Sequence, residues 1–143
     1  MKMTGVISVM LVGAITVMSC GTKPEATEGT APTQEQTIAA VQNIGPSAVG
    51  KIMNEKNAIL IDVRTPEEIN EGIIEGATVF VDYKNANFAS EIAKLDKSKT
   101  YIVYCRSGGR SAGASDMMVA QGFQSVYNLE GGITGWTGKV VKK

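Results

Sequence analysis

Seven consecutive residues, Cys105-Arg106-Ser107-Gly108-Gly109-Arg110-Ser111, bring together a thiol, guanidinium groups, hydroxyls and a glycine pair. Adjacent glycines let the backbone take turns that other residues resist, so successive N–H groups can converge as an anion-binding nest. A helix expected to begin near Arg110 adds the positive end of its dipole, and Arg106 and Arg110 add full charges. All of these favour thiolate over thiol at Cys105, the direction that makes a cysteine a nucleophile. A buried structural cysteine is the bland alternative for a lone thiol. A glycine turn set between arginines counts against it.

The chemistry open to this chain is narrowed by what it lacks. Among 143 residues there are two cysteines and no histidine. Ser-His-Asp hydrolysis, Cys-His proteolysis and HExxH zinc sites are therefore excluded. A thiol already ionised by its surroundings needs no imidazole to deprotonate it, so Cys105 escapes that exclusion. The 14 basic residues are 11 Lys and only three Arg, namely Arg64, Arg106 and Arg110. The arginine fork suits carboxylate, phosphate or sulfate oxygens, and its concentration beside one thiol suggests an anion site, with structural ion pairs as an equal alternative on counts alone. The 14 basic side chains are balanced by 14 acidic ones. With a pI near 6.3, a nucleic-acid partner has no support from charge. So few cysteines argue against a protein-only zinc site, and no metal or cofactor is expected.

The elements that must position the loop follow from the apolar pattern. With 43% apolar residues the chain suits one domain with an ordinary core, expected over residues 38–143. Short apolar runs at Val41–Ile44, Ala58–Val63, Thr78–Val81, Tyr101–Tyr104 and Ser125–Leu129 predict strands. Helices are predicted from Pro46 to Asn54, from Thr65 with an acidic first turn, from Phe88 to Leu95, and from Ser111 to Gln121 with Gly122 closing the end. Strands alternating with helices make βαβ units, hence an α/β fold with a parallel sheet of about five strands and helices on both faces. Ligands in such folds sit beyond the carboxyl ends of the strands, where Cys105 falls. Gly131–Gly135 is expected to form the turn that begins a short final helix, with Trp136 as a lid on the core; Met117 and Met118 are expected in the core or lining the pocket.

Three segments in this order resemble the rhodanese domain: Ile61-Asp62-Val63-Arg64-Thr65-Pro66-Glu67-Glu68-Ile69, the loop at Cys105–Ser111, and Asn128-Leu129-Glu130-Gly131-Gly132-Ile133-Thr134-Gly135-Trp136. The resemblance covers about Val41 to Val140. It implies a rhodanese-like sheet and a sulfurtransferase in which Cys105 takes sulfane sulfur from a donor such as thiosulfate, carries it as a persulfide, and passes it to cyanide or a thiol acceptor. Residues Arg106, Ser107, Gly108, Gly109, Arg110 and Ser111 would bind the substrate and stabilise the thiolate, with Arg106 steering the anionic donor. Arg110 is expected to tie the loop to the body through Asp62 or Glu68, and Arg64 to pair with the other carboxylate. Family members often carry a histidine where Ile73 stands, which bears on local packing more than on catalysis. Two other readings compete. A sulfur-carrier or binding module would act on a protein partner. A cysteine-dependent phosphatase needs five residues between Cys and Arg, and here Arg110 follows after four.

The first residues read as targeting rather than fold. Lys2, the apolar stretch Val6–Val17 and small residues at Ser19 and Gly21 predict a signal peptide over residues 1–19, too short to span a bilayer. Val17-Met18-Ser19-Cys20 resembles the lipobox of bacterial lipoproteins, with Met18 where a small residue is usual. That resemblance implies lipid attachment at Cys20, a membrane partner, and a place in the cell envelope facing the periplasm or exterior. Ordinary secretory cleavage, giving a soluble secreted or periplasmic protein, is the alternative. Residues 20–37 are rich in Thr, Glu, Pro and Gly and predict a flexible tether with a reach of about 25 Å.

Overall fold

The computed structural model describes residues 39–143. The expected signal peptide, Cys20 and the tether to residue 37 lie outside the described residues. The elements run β1 (Gln42–Ile44), α1 (Pro46–Lys56), β2 (Ile59–Asp62), α2 (Pro66–Glu71), β3 (Ile73–Ile74), β4 (Ala77–Phe80), α3 (Phe88–Ala93), β5 (Thr100–Tyr104), α4 (Gly109–Ala120), β6 (Ser125–Leu129) and β7 (Val140–Val141).

Five strands form one sheet in the order β1-β6-β5-β2-β4, every neighbour parallel. Central strand β5 pairs Asp62 with Tyr104 on one side and Val103 with Asn128 on the other. The carboxyl ends of β2, β5 and β6 therefore finish side by side, which sets Arg64, Cys105 and Glu130 along one edge of the fold.

Side chains alternate across this sheet as the two-residue strand period requires. Leu60, Ile102, Tyr104, Tyr127 and Leu129 face Val49 of α1 and Ile69 of α2. Ile61, Tyr101, Val103 and Val126 face Phe88 and Ile92 of α3, and Ala114 and Met118 of α4. Helices thus cover both faces, and Cys105 continues the alternation onto the α4 face. Fully burying an aliphatic or aromatic side chain of this size contributes on the order of 2 kcal/mol, so both faces carry weight.

Helix ends follow local sequence. Pro66 stands in the first turn of α2, and the Glu68 carboxylate accepts the Thr65 backbone N–H at 3.3 Å. Helix α4 ends in a Schellman turn at Gly122, whose φ is +93°: Gly122 N–H donates to Val119 O at 2.9 Å and Phe123 N–H to Met118 O at 3.2 Å.

Some expectations are revised. Helix α4 begins at Gly109 rather than Ser111, so both Gly109 and Arg110 lie within it. The expected turn forms at Gly131 and Gly132, which take left-handed φ of +75° and +54°, but no helix follows it among the described residues, and the chain runs on to β7. Trp136 packs half-buried against the α1 and α2 cluster, with its indole N–H donating to Lys139 O at 3.2 Å. An unforeseen antiparallel pair joins Ile73–Ile74 to Val140–Val141. Ile73, where the resemblance expects histidine, is buried in this pair against the α1 and α2 cluster. An apolar side chain suits that site. Among the described residues no helix is long and apolar enough to cross a membrane.

Candidate active site

Strand β5 delivers Cys105 one residue past its end, flanked by β2 and β6. Residues 106–108 then turn the chain directly into α4. Gly108 makes that turn at φ +103°, and a Cβ there would lie 3.3 Å from Gly131 N. Glycine is needed both for the left-handed conformation and for the close approach of the two segments.

Turning this way aims donors at the sulfur. Gly108 N–H donates to Cys105 Sγ at 3.1 Å, and the Ser111 hydroxyl lies 3.5 Å from it. Burial pushes the thiol up. The Ser111 hydroxyl and the backbone N–H groups of Ser111, Gly108 and Ser107 outweigh that and bring it below its ordinary value. Cys105 itself is only 1% exposed, whereas Arg106, Ser107 and Gly109 around it are exposed. The arrangement is a shielded thiol under a polar rim, its ionisation favoured by those donors, and it is suited to attack on a small electrophile.

The arginines divide in role. Arg110 is gripped by both oxygens of Glu68, at 2.7 Å each, across 42 residues of sequence. This fork-to-fork pair ties the start of α4 to α2. Arg110 is raised chiefly by Glu68, with a weaker attraction to Cys105 behind it. The Arg110 hydrogen bonds bring Glu68, against the opposing effect of burial, down to about 2. Of the two carboxylates open to Arg110, the structure pairs it with Glu68 and leaves Asp62 to Arg64.

That second pair is buried, with Arg64 4% and Asp62 0% exposed. Arg64 Nε and Nη2 both donate to the Asp62 carboxylate, the shortest contact being 2.6 Å. Its remaining N–H groups reach Glu68 O at 3.1 Å and Gly72 O at 2.7 Å. Burial works against the Arg64 charge, but Asp62 prevails and raises it. Arg64 thus pins α2 to the end of β2, and α2 in turn presents Glu68 to Arg110. Arg106 makes no ion pair among the described residues and is exposed on the loop. Charge on the sulfur is therefore met mainly by amides and a hydroxyl, with the arginines placed one step out.

Further residues complete the site without having been singled out as part of it. Ile133 N–H donates to Cys105 O at 2.9 Å, and Thr134 N–H and hydroxyl donate to Arg106 O at 3.0 and 2.8 Å. The turn after β6 therefore holds the carbonyl side of the loop while its amide side faces the sulfur. Gly132 lies so close to Cys105 O that no Cβ fits. The paired glycines were the available signal. Asn128 of β6 is the other, a polar residue buried to 5% exposure in an apolar strand, with Oδ1 2.6 Å from Ser111 Oγ. Among the described residues, no three His, Cys, Asp or Glu side chains gather in a group that could hold a metal ion.

A family model described as the rhodanese-like domain matches residues 45–139. The chain is 36% identical over 86 residues to a protein named sulfurtransferase from Allochromatium vinosum, covering 60% of this chain and 78% of that one. It is 29% identical over 97 residues to the thiosulfate sulfurtransferase GlpE of Pseudoalteromonas translucida, covering 68% of this chain and 90% of the relative. Among solved structures, a rhodanese-like domain protein from Staphylococcus aureus superposes with a TM-score of 0.62 at 26% identity, over 72% of this chain and 99% of that one.

Proposed function

This chain belongs to the rhodanese-like family, whose members include sulfurtransferases, and from that premise we propose that it transfers sulfane sulfur through a persulfide on Cys105. The observation that carries the proposal is a histidine-free thiol, shielded and lowered by the N–H groups and hydroxyl of its own loop. With thiosulfate as donor, the Cys105 thiolate attacks the outer sulfur. A Cys105 S–S bond forms, the donor S–S bond breaks, and sulfite leaves with the electron pair. Cyanide or a thiolate acceptor then attacks the outer sulfur and Cys105 leaves as thiolate, restoring the enzyme. Both steps keep negative charge near Sγ, where fixed amides stabilise it without reorganisation. Arg106, exposed beside the nucleophile, is placed to draw in the anionic donor.

A cysteine-dependent phosphatase is disfavoured by Arg110. In such enzymes the loop arginine grips phosphoryl oxygens, and here both arms of Arg110 are held by Glu68. A carrier role toward a protein thiol uses the same first half-reaction and differs only in the acceptor. The proposal extends to Cys20 as a lipid attachment point, with residues 20–37 tethering the domain to the cell envelope.

Thiocyanate production from thiosulfate and cyanide tests the enzyme reading, with mass spectrometry of the thiosulfate-treated protein reading a sulfur added on Cys105. The expected result is turnover in the wild type and none in Cys105→Ser. Absence of both thiocyanate and added sulfur sinks the reading, and aryl phosphate hydrolysis would promote the phosphatase. Sulfur loading with transfer only to a protein thiol would favour the carrier. Intact mass of the protein from membranes reads the anchor: an acylated Cys20 supports it, and an unmodified mature chain beginning there means ordinary secretion.

A further inference from the structure

A buried line of polar side chains leads away from the nucleophile across two strands. Ser111 on α4, fully buried, has Oγ 3.5 Å from Cys105 Sγ, 3.0 Å from Gly108 O and 2.6 Å from Asn128 Oδ1. Asn128 on β6 donates from Nδ2 to Asn43 Oδ1 at 3.0 Å, on neighbouring strand β1. A serine hydroxyl has one proton to give, so these acceptors compete for it. The contact to Asn128 is the shortest of the three. With Asn43 taking the Nδ2 hydrogen, Asn128 presents its oxygen to Ser111.

The two half-reactions of sulfur transfer make opposite demands on Sγ. As a nucleophile it gains from having few hydrogen bonds, and as the leaving group of the second step it gains from having more. We propose that Asn128 is a positioning residue for both: by competing for the Ser111 proton it weakens the hydroxyl's hydrogen bond to Cys105 Sγ during attack and yields that proton fully to the sulfur as Cys105 departs. No bond to hydrogen breaks, because the hydroxyl only rotates between two acceptors. The inference rests on Cys105 being the sulfur-carrying nucleophile.

Other charges near the sulfur do not account for such an effect. Arg110 is committed to Glu68 from α2, Asp82 after β4 acts on Arg110, Arg106 is in solvent, and the Asp62 and Arg64 pair closes on itself. A substitution at position 128 leaves all of them in place.

The test is a double-mutant cycle between Asn128→Leu and Ser111→Ala, read by the pH dependence of Cys105 alkylation with iodoacetamide and by single-turnover sulfur loading from thiosulfate. Without the Asn128 oxygen the hydroxyl turns to Sγ, so Asn128→Leu raises the thiolate fraction below the titration midpoint by about tenfold, one hydrogen bond to a charged group. The same substitution slows the high-pH plateau of loading by about threefold, because a better-stabilised thiolate is a weaker nucleophile. Both effects vanish in the Ser111→Ala background. If Asn128→Leu moves the midpoint upward or not at all, or moves it equally with Ser111 absent, the inference is overturned. Should Asn128→Leu not fold, Asn43→Ala at an exposed position frees the amide and is expected to shift alkylation in the same direction more weakly; no shift there overturns it as well. Alkylation reads the coupling independently of turnover, so a wild type without sulfur transfer would refute the proposed function while this measurement still gave its own answer.

Discussion

Replacing Gly132 by alanine tests whether the turn after β6 positions the nucleophile. Gly132 takes φ +54°, and a Cβ built there lies 2.7 Å from both the carbonyl carbon and oxygen of Arg106, closer still to Cys105 O. Ordinary contacts begin at about 3.4 Å, so relieving the closest approach, to Cys105 O, requires one segment to move by about 1 Å. The conformational penalty for a left-handed alanine adds roughly 1–2 kcal/mol. Ile133 N–H to Cys105 O and the two Thr134 bonds to Arg106 O span that same gap. Losing two of them adds about 2 kcal/mol. Gly132→Ala is therefore expected to lose about 3–4 kcal/mol in urea unfolding. In the fraction that folds, moving the loop by nearly 1 Å is expected to cut kcat/KM for thiosulfate on the order of 100-fold. Gly122→Ala is the control: its φ is +93° but nothing lies within 4 Å of a new Cβ. It pays only the conformational penalty and keeps wild-type kcat/KM. A folded Gly132→Ala protein with wild-type kcat/KM would refute this role for the turn.

Breaking the buried pair with Asp62→Ala leaves the Arg64 charge unpaired, and urea unfolding is expected to show a loss of about 3–5 kcal/mol; a loss under about 1 kcal/mol would show that Arg64 finds other compensation. Glu68 lies at about 2, below its ordinary 4.5, chiefly because of Arg110, so its folded-state advantage is present above pH 4.5 and lost as pH falls toward 2. Glu68→Gln should therefore be less stable than wild type at pH 7 by about 2 kcal/mol, after allowance for solvent screening, and the difference should close across that window; a gap that persists at pH 2 would mean the pair is not its source. Because Cys105 is 1% exposed, folding should protect it far more from a bulky iodoacetamide-linked dye than from iodoacetamide itself, each rate being taken relative to the same reagent's rate in urea. Equal and weak protection against both reagents would place the thiol at the surface.

Several features of the site are local and were readable in the sequence. The turn at Gly108, the amide donors that follow it and the strand that ends before Cys105 all arise within one short stretch, governed by backbone sterics and strand period. Helix α2 and its acidic first turn are equally local, as is the turn at Gly122. What could not be read was which distant group meets which. Arg110 had two carboxylates open to it, and only the sheet order, placing β2 beside β5, brings α2 and its Glu68 against α4. Gly131 and Gly132 suggested a turn, and a turn forms, yet its grip on Cys105 O and Arg106 O through the N–H groups of Ile133 and Thr134 joins residues almost thirty apart and has no local signature.

The sequence by itself determined the kind of chemistry. Without histidine, a reactive thiol must be ionised by its own backbone and neighbours, and the glycine-rich loop aims an amide at Cys105 Sγ within hydrogen-bond reach. Tertiary structure alone decided the surroundings that make the loop hold one shape: Glu68 on Arg110, the glycine turn on Cys105 O, and Asn128 on the Ser111 hydroxyl. Those contacts join residues far apart in the chain, and parallel strand pairing rather than local preference brings them together.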